Sequence, residues 1–541
     1  MPLLRLNAHV RGLAGTASLV LITIIVILAN TSKASAQTAI TTYHYDNYRT
    51  GWNASEATLT PANVGGSSFG LLVKVVLDDQ VDAQPLVVPA VNITAGANPG
   101  QHDVVYVVTG NDTVYAIDAN SGTVLLTASM GAPVPKPLGC PNNGPNVGMT
   151  ATPVIDPIAS TLYVMAYTQD TSGPNYRLHA LDLGSLVDKV TPEVVAASHM
   201  LTDGSTFAFN AAYQRQRPAL LLSSGTVYAG FGSFCDFSAN VSRGWLLGWN
   251  ATTLSPLLAN TLLDTQASSP DTFFLSSIWM SGYGPTADDS GNVLFVTGNS
   301  DYSGTTYDGV TDIQESLVKV SPDLSSVVDL FTPSNWAQLD EADEDFGSGG
   351  VLVLPDQSGT YPHLAVAAGK NGSMYLTDED DLGGYSPTKN HVFATYAIGG
   401  CWCGESYFVD PTDGAARVVS SGGEKVGVWK LQTSPRPSLT RVAASTPVIN
   451  GQDSGFFTSI SSNGTANPII WALSRPASRT SNGIGLYAFN PDSGGSTMAP
   501  IFKSIAGAWP NVGGNSNLVP VVANGKVYVG TNKQLQIFGL K

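Results

Sequence analysis

Short apolar runs separated by turn residues recur along almost the whole chain. Each unit has the same grammar: a Pro- or Gly-led run, a turn, a second run of V/L-Y-V/A type, a turn, and a third run ending near Asp or Asn. The first copy opens at Gln84 and reads QPLVV, DVVYVVTGND, TVYAIDANSGTVLL. The second opens at Thr152 with TPVID, then STLYVMAY and YRLHALDLGSL, and the third at Arg217 with RPALLL, then GTVYAGFG. Further copies open at Gly284, Gly349, Thr446 and Val519, and a degenerate one at Gly404 reads GESYFVD, ARVVSSGGE, KVGVWKLQ. Val, Ile and Tyr in runs bounded by Gly, Asn, Asp and Ser predict strands joined by tight turns. Runs that are apolar at nearly every position predict strands covered on both faces.

Eight such units predict an all-β fold, an eight-bladed β-propeller of four-stranded antiparallel blades. One unit alone leaves its sheet faces uncovered, and stacking units in a ring buries them. The last copy ends with the chain after its third run, QLQIFGLK. The run missing there stands ahead of the first copy, in FGLLVKVVLDD from Phe69. An N-terminal strand is therefore expected to complete the last blade, which closes the ring and removes free sheet edges. Residues 67–541 form the propeller on this reading. Residues 37–66, with YHYDNYRTGWN, form an extended strap that Asp46, Asn47, Arg49 and Trp52 pin by hydrogen bonds and stacking.

Residues 1–36 stand apart. Arg5 and Arg11 precede an apolar run from Leu13 to Ala29, and Ala34-Ser35-Ala36 supplies the small residues that signal peptidase needs. The segment reads as a cleaved signal peptide and the protein as extracytoplasmic, periplasmic or secreted. Membrane contact is expected only if the segment is retained as an anchor. The cysteines Cys140, Cys235, Cys401 and Cys403 suit disulfides in an exported chain. Cys401-Trp402-Cys403 is too tight for a relaxed bridge between its own members, which favours pairing elsewhere; of the three connectivities four cysteines allow, the one with Cys140 joined to Cys235 is nonetheless preferred. C-x-C without a second close ligand pair is poor zinc spacing.

Composition sharpens the picture. Charged residues are 12% of the 541, about half the usual share, with 25 Lys plus Arg against 41 Asp plus Glu. The net charge of −16 argues against a nucleic-acid partner, which needs a basic face. Acidic residues gather in two loop runs, DEADED at 340–345 and DEDD at 378–381.

The phrases AIDANSG at Ala116–Gly122, TPVID at Thr152–Asp156 and VANGKVYVGT at Val522–Thr531 resemble pyrroloquinoline-quinone (PQQ) repeats of the quinoprotein alcohol dehydrogenase-like superfamily. The resemblance spans residues 67–541 and implies the eight-bladed fold. Catalytic members hold PQQ and Ca²⁺ near the axis, and three local matches follow. Thr297-Gly298-Asn299 resembles the T-G-N phrase whose Asn binds Ca²⁺, which makes Asn299 the metal candidate. The segment from Phe331-Thr332-Pro333 to Asp345-Phe346-Gly347 resembles the one carrying the base that takes the alcohol proton, so Asp345 is the catalytic candidate and Asp343 its alternative. Asp82-Ala83-Gln84-Pro85-Leu86 resembles the turn whose acid contacts the quinone, so Asp82 is a cofactor-binding candidate, with Cys140 in the region of the adjacent cysteine pair. That pair is itself missing, as is the Arg after it, with Asn146 nearest. No C-x-x-C-H haem motif is present. The purely structural reading makes Asn299 a blade-turn cap and DEADED a solvated loop or a short helix capped by Ser334.

Functional readings then rank as follows. The first is a non-catalytic binding or scaffolding propeller that takes a protein, small molecule or glycan on its axial face. The second is a Ca²⁺/PQQ-dependent dehydrogenase of alcohols or sugars. The third is a glycan-binding propeller using Trp279, Trp336 and Trp402 around the axis.

Overall fold

The computed structural model describes residues 37–541 apart from 137–139, 141–143, 236–241, 268–273, 301–306, 449–450, 479 and 512–515. The export reading, which rests on residues 1–36, falls outside the described residues. Among the described residues no helix is long and apolar enough to cross a membrane.

Eight antiparallel sheets follow one another along the chain as the blades of a propeller. Blade one is Leu86–Ile93, Gly100–Val108, Thr113–Asp118 and Val124–Ser129, paired in that order. The innermost strands of blades two to five are Val154–Asp156, Leu221–Ser223, Thr286–Ala287 and Val351–Leu354. Those of blades seven and eight are Phe457–Asn463 and Val521–Ala523. The degenerate sixth unit is a complete blade, Ser406–Val409, Ala416–Ser420, Gly427–Gln432 and Ser438–Ser445, despite its short spacing. Several blades also gain a short extra strand. Gly384–Tyr385 pairs in parallel with Val327–Thr332, and Thr497–Met498 with Ser438–Ser445.

Ring closure follows the expected route. Phe69–Gln80 pairs antiparallel with Asn532 to Leu540, and Val521–Ala523 pairs with the start of the same long element, Lys526–Leu540. The core lies between blades, because each sheet offers two apolar faces. Val521, Leu535 and Ile537 of blade eight pack with Val87, Val105 and Val107 of blade one. Phe408 and Val428 of blade six pack with Ile460 and Ile470 of blade seven in the same way. Full burial of each such side chain is worth about 1.5–3 kcal/mol, so the ring is held by many equivalent seams.

The strap does more than lie outside the blades. The inner edge of every innermost strand has unpaired N–H and C=O groups that need partners. Residues 40–53 supply them to all of the blades in turn. Ile40 exchanges backbone hydrogen bonds with Val87, Thr41 O accepts from Ile155 N, and Asn47 Nδ2 donates to Leu222 O. Asn47 O, Tyr48 O, Thr50 O and Gly51 O accept from the backbone N–H groups of Ala287, Val353, Tyr407 and Ile460. Tyr45 Oη accepts from Val522 N, and Asn53 Nδ2 donates to Val522 O. The expected anchors are all used: Asp46 accepts from Thr50, and Trp52 Nε1 donates to Ser462 Oγ at 2.7 Å. The Trp52 ring meets Tyr407 edge-on at 5.9 Å.

Two disulfides are present. Cys140 joins Cys235, as preferred from sequence. Cys401 and Cys403 are joined to each other, which corrects the expectation that they pair elsewhere. The chain turns sharply enough between Gly400 and Gly404 to bring their Cα atoms to 4.9 Å, within the range a bridge requires.

Candidate functional site

The segments that lead into the innermost strands, and the turns between second and third strands, meet at one end of the axis. The TGN turn of blade four lies against the DEADED segment ahead of blade five. Asn299 N donates to Asp345 Oδ1 at 2.7 Å, and Asn299 Nδ2 donates to Asp343 Oδ1 at 3.2 Å. Gly298 makes this approach feasible, since a Cβ there would lie 2.6 Å from Asp345 Oδ1. Asn299 is therefore more than a cap within its own turn. Lys370, from the turn AGKNG of blade five, completes the group: its Nζ lies 2.5 Å from Asp345 Oδ2 and 2.8 Å from Asp343 Oδ1. The Lys370 and Asp345 side chains are almost fully buried, whereas that of Asp343 is 58% exposed. Burial draws the Lys370 ammonium down, but the two carboxylates outweigh it and hold its pKa above the ordinary lysine value.

The DEADED run is only partly solvated. It includes the end of a short helix, Trp336–Ala342, but Asp340 and Asp345 are buried. Ser334 does not cap that helix. Asn335 occupies the cap position without a side-chain bond, and Ser334 N donates instead to Asn390 Oδ1. Beneath Asp345 lies Glu315, fully buried, with Oε2 accepting from Phe346 N and Oε1 without a hydrogen-bond partner. Burial, reinforced by the Asp345 charge, keeps the Glu315 carboxyl protonated far above the usual range.

Aromatic rings and cations extend the site across the axis. Lys370 Nζ lies 5.4 Å from the centre of the Trp279 ring and 5.3 Å from that of Trp402. Arg217 approaches the Trp279 ring at 5.7 Å. Arg217, held down to about 9 by burial and by the Arg215 charge, is also within electrostatic reach of Asp82, Arg475 and Asp453. Asp82, whose carboxyl is raised by burial, accepts from Gln80 Nε2 at 2.8 Å and feels both Arg215 and Arg217. Arg475 donates to Gly455 O, Trp402 O and Asn517 Oδ1, yet its Nη1 is buried with no hydrogen-bond partner. Asp82 is thus linked to Asn299 and Asp345 through Arg217 and Trp279, not by direct contact. Cys140 takes no part in this chain of contacts: it is buried, bridged to Cys235, and packed among blades two and three. Trp336 also stands aside, against Tyr307 at 5.2 Å.

Sequence reasoning missed Arg215, Arg217, Lys370 and Arg475. The signal was present in the rarity of cations: QRQR at 214–217 places two of only 25 basic residues ahead of one innermost strand.

One buried acid below this site gives a pH signature. Both Glu405 carboxylate oxygens are buried without partners, and burial raises the pKa to about 7. The folded state therefore retains a proton that the unfolded chain releases near its ordinary value of 4.5. Stability from this group is intact at low pH and falls as pH rises toward 7, by up to about 3 kcal/mol. Glu405→Gln should remove that loss: urea titrations at pH 5 and pH 8 should show a smaller difference than wild type. An equal difference would refute this assignment.

Neither a sequence-family model nor a curated protein matches the chain. Solved structures do. Quinohemoprotein alcohol dehydrogenase from Comamonas testosteroni aligns over 94% of this chain and 81% of its own, with a TM-score of 0.61 at 14% identity. The fold is that of the quinoprotein alcohol dehydrogenases. The quinohemoprotein alcohol dehydrogenase ADHIIG from Pseudomonas putida HK5 gives a TM-score of 0.60 at 13% identity, over 93% of this chain and 80% of its own. A europium-containing methanol dehydrogenase gives 0.61 at 10% identity, over 93% and 98%. At such identities the likeness carries architecture alone. Asn146, the residue nearest the expected Arg, donates from Nδ2 to Asp79 Oδ2 at 3.1 Å. The cations of the site come from blades three, five and seven.

Proposed function

We propose that this protein is an exported binding propeller whose axial end holds a planar polycarboxylate. The observation that carries the reading is Arg475 Nη1, a buried guanidinium nitrogen without a partner, beside Trp402 and in electrostatic reach of Arg217. A buried donor left unpaired costs free energy that an anionic ligand would recover. Trp279 and Trp402 offer ring faces for a flat ligand, and Arg217 and Lys370 offer charge at their faces. Two bridged cysteine pairs suit an oxidising compartment and support export.

A second reading, a PQQ-dependent dehydrogenase of alcohols or sugars, is favoured by the Asn299–Asp345–Lys370 group. PQQ is a flat tricarboxylate, so the aromatic and cationic residues fit it. Bound there it would supply an electrophilic carbonyl able to accept hydride. Asp345 would take the hydroxyl proton at a carboxylate oxygen, with Asn299 N fixing the other oxygen and Lys370 balancing the charge. For Ca²⁺ the described residues offer Asn299 Oδ1 and Asp343, with Asp345 already held by Lys370, far fewer than the six to eight oxygens the ion takes, so ligand and water oxygens would have to complete it.

Purified protein incubated with PQQ, with and without Ca²⁺, separates these readings. Co-eluting quinone absorbance that Arg475→Met removes is the expected result. Dye-linked alcohol or aldose oxidation that Asp345→Asn abolishes would establish the second reading. Absence of bound quinone would overturn both.

A further inference from the structure

A cavity lies on blade six, between the turn that joins its second and third strands and its fourth strand. It has a volume of about 240 Å³ and is bounded by Ile398, Ser420, Glu424, Lys425, Trp429 and Arg441, with Gly422, Gly427 and Ala444 leaving the space open. That size is below the roughly 300–1,000 Å³ of drug-sized sites and suits one small ring. The wall is rigid where it is aromatic. Trp429 is buried, its Nε1 donates to Ser420 Oγ at 2.9 Å, and Tyr396 packs against it at 5.4 Å. Gly427 is needed for that lock, since a Cβ there would lie 2.7 Å from Ser420 Oγ and 3.0 Å from Trp429 Nε1.

The charged groups around this wall are unspent. Arg441 is held over the Trp429 ring at 5.6 Å, and no hydrogen bond or ion pair engages its guanidinium among the described residues. Lys425 and Glu424 likewise make no side-chain hydrogen bond or ion pair there, whereas neighbouring Lys430 is paired with Asp413 and Arg417 with Asp410 and Asp413. Two cations and one acid with free valences thus border a small cavity with an indole and an Ile in its wall.

We propose that this cavity binds a single acidic sugar residue, a hexuronate. Its carboxylate would take the Arg441 fork and the Lys425 ammonium, and its ring C–H groups would lie against Trp429 and Ile398. Its hydroxyls would donate to Glu424. Each feature of the cavity answers one feature of that ligand: the cations select the carboxylate, the acid selects hydroxyls, and the indole selects a ring. A bare carboxylate would use only the first of these.

Isothermal titration of the full mature protein with galacturonate and glucuronate tests the proposal, with the neutral hexoses galactose and glucose and with acetate as controls. At least one hexuronate should bind saturably, at least about tenfold more tightly than its neutral hexose and than acetate. Arg441→Ala and Lys425→Ala should each weaken it by about tenfold or more, and Glu424→Gln by less, with unfolding temperatures close to wild type. Arg441→Ala should leave quinone binding at the axial end unchanged, so failure here and failure of the axial reading are separable. No saturation by about 10 mM ligand would overturn the proposal. So would acetate binding as tightly as hexuronate, which marks a simple anion site, or full affinity in both alanine variants.

Discussion

Lys370→Met should destabilise the propeller by about 3–5 kcal/mol and abolish the ligand binding proposed for the axial end. Lys370 is the cation that faces both Asp343 and Asp345, and its side chain is only 9% exposed. Removing it strands the Asp345 carboxylate, which is 3% exposed and lies next to buried Glu315. Such a charge cannot recover its hydration without opening the site. Asp343 contributes much less, because water already solvates it. One control makes the effect specific. Lys370→Met combined with Asp345→Asn should recover more than half of the loss, since the amide keeps the hydrogen bond from Asn299 N without the stranded charge. Urea unfolding of the single and double variants reads the outcome. A single variant within about 1 kcal/mol of wild type, or a double variant no better than the single, would show that the ion pair does not hold this end of the axis.

The contrast between fold and site in what the sequence reveals has a physical basis. Propeller repeats are written in nearest-neighbour terms: each strand pairs with the next, so apolar runs and turn residues carry the blade pattern directly. Even ring closure was legible, because Lys526–Leu540 needs the strand that FGLLVKVVLDD supplies. The site is different. Asp345, Asn299 and Asp82 could be singled out by their phrases, but their partners come from other blades. Lys370 lies in an ordinary-looking turn, and Arg475 follows a strand with no motif around it. Nothing in a linear pattern says that turns many residues apart share one end of an axis. The Cys401–Cys403 bridge was misread for a related reason: spacing alone argued for strain, whereas a bend at 402–403 brings the two Cα atoms to 4.9 Å. The strap was legible as strap-like, yet its contact with every blade depends on the ring having formed.

That contact sets the second expectation, which concerns Arg49. Its side chain is fully buried at the inner end of the blades. Nε donates to Pro285 O at 2.9 Å, Nη1 to Thr42 Oγ1 and Tyr43 O, and Nη2 to Leu220 O at 3.3 Å. Burial lowers its pKa to about 10, so it is still charged at neutral pH, with Asp46 the nearest carboxylate influence. One planar fork therefore ties the strap to itself and to blades three and four at once. Arg49→Met leaves the carbonyls of Pro285, Leu220 and Tyr43 buried without that donor. At about 1 kcal/mol or more for each, the loss should total about 3–5 kcal/mol. Arg49→Lys keeps the charge but not the fork, and a compact ammonium cannot reach all of these oxygens, so it should recover less than half. The failure should also have a place. Because residues 40–53 bind every blade in turn, weakening one anchor should loosen the strap before the ring. Limited proteolysis of Arg49→Met should cut first within residues 37–66, at protease levels that leave the wild type intact. If cleavage instead begins in loops between blades with the strap protected, or if the variant unfolds within about 1 kcal/mol of wild type, the strap is a passenger on a ring that closes without it.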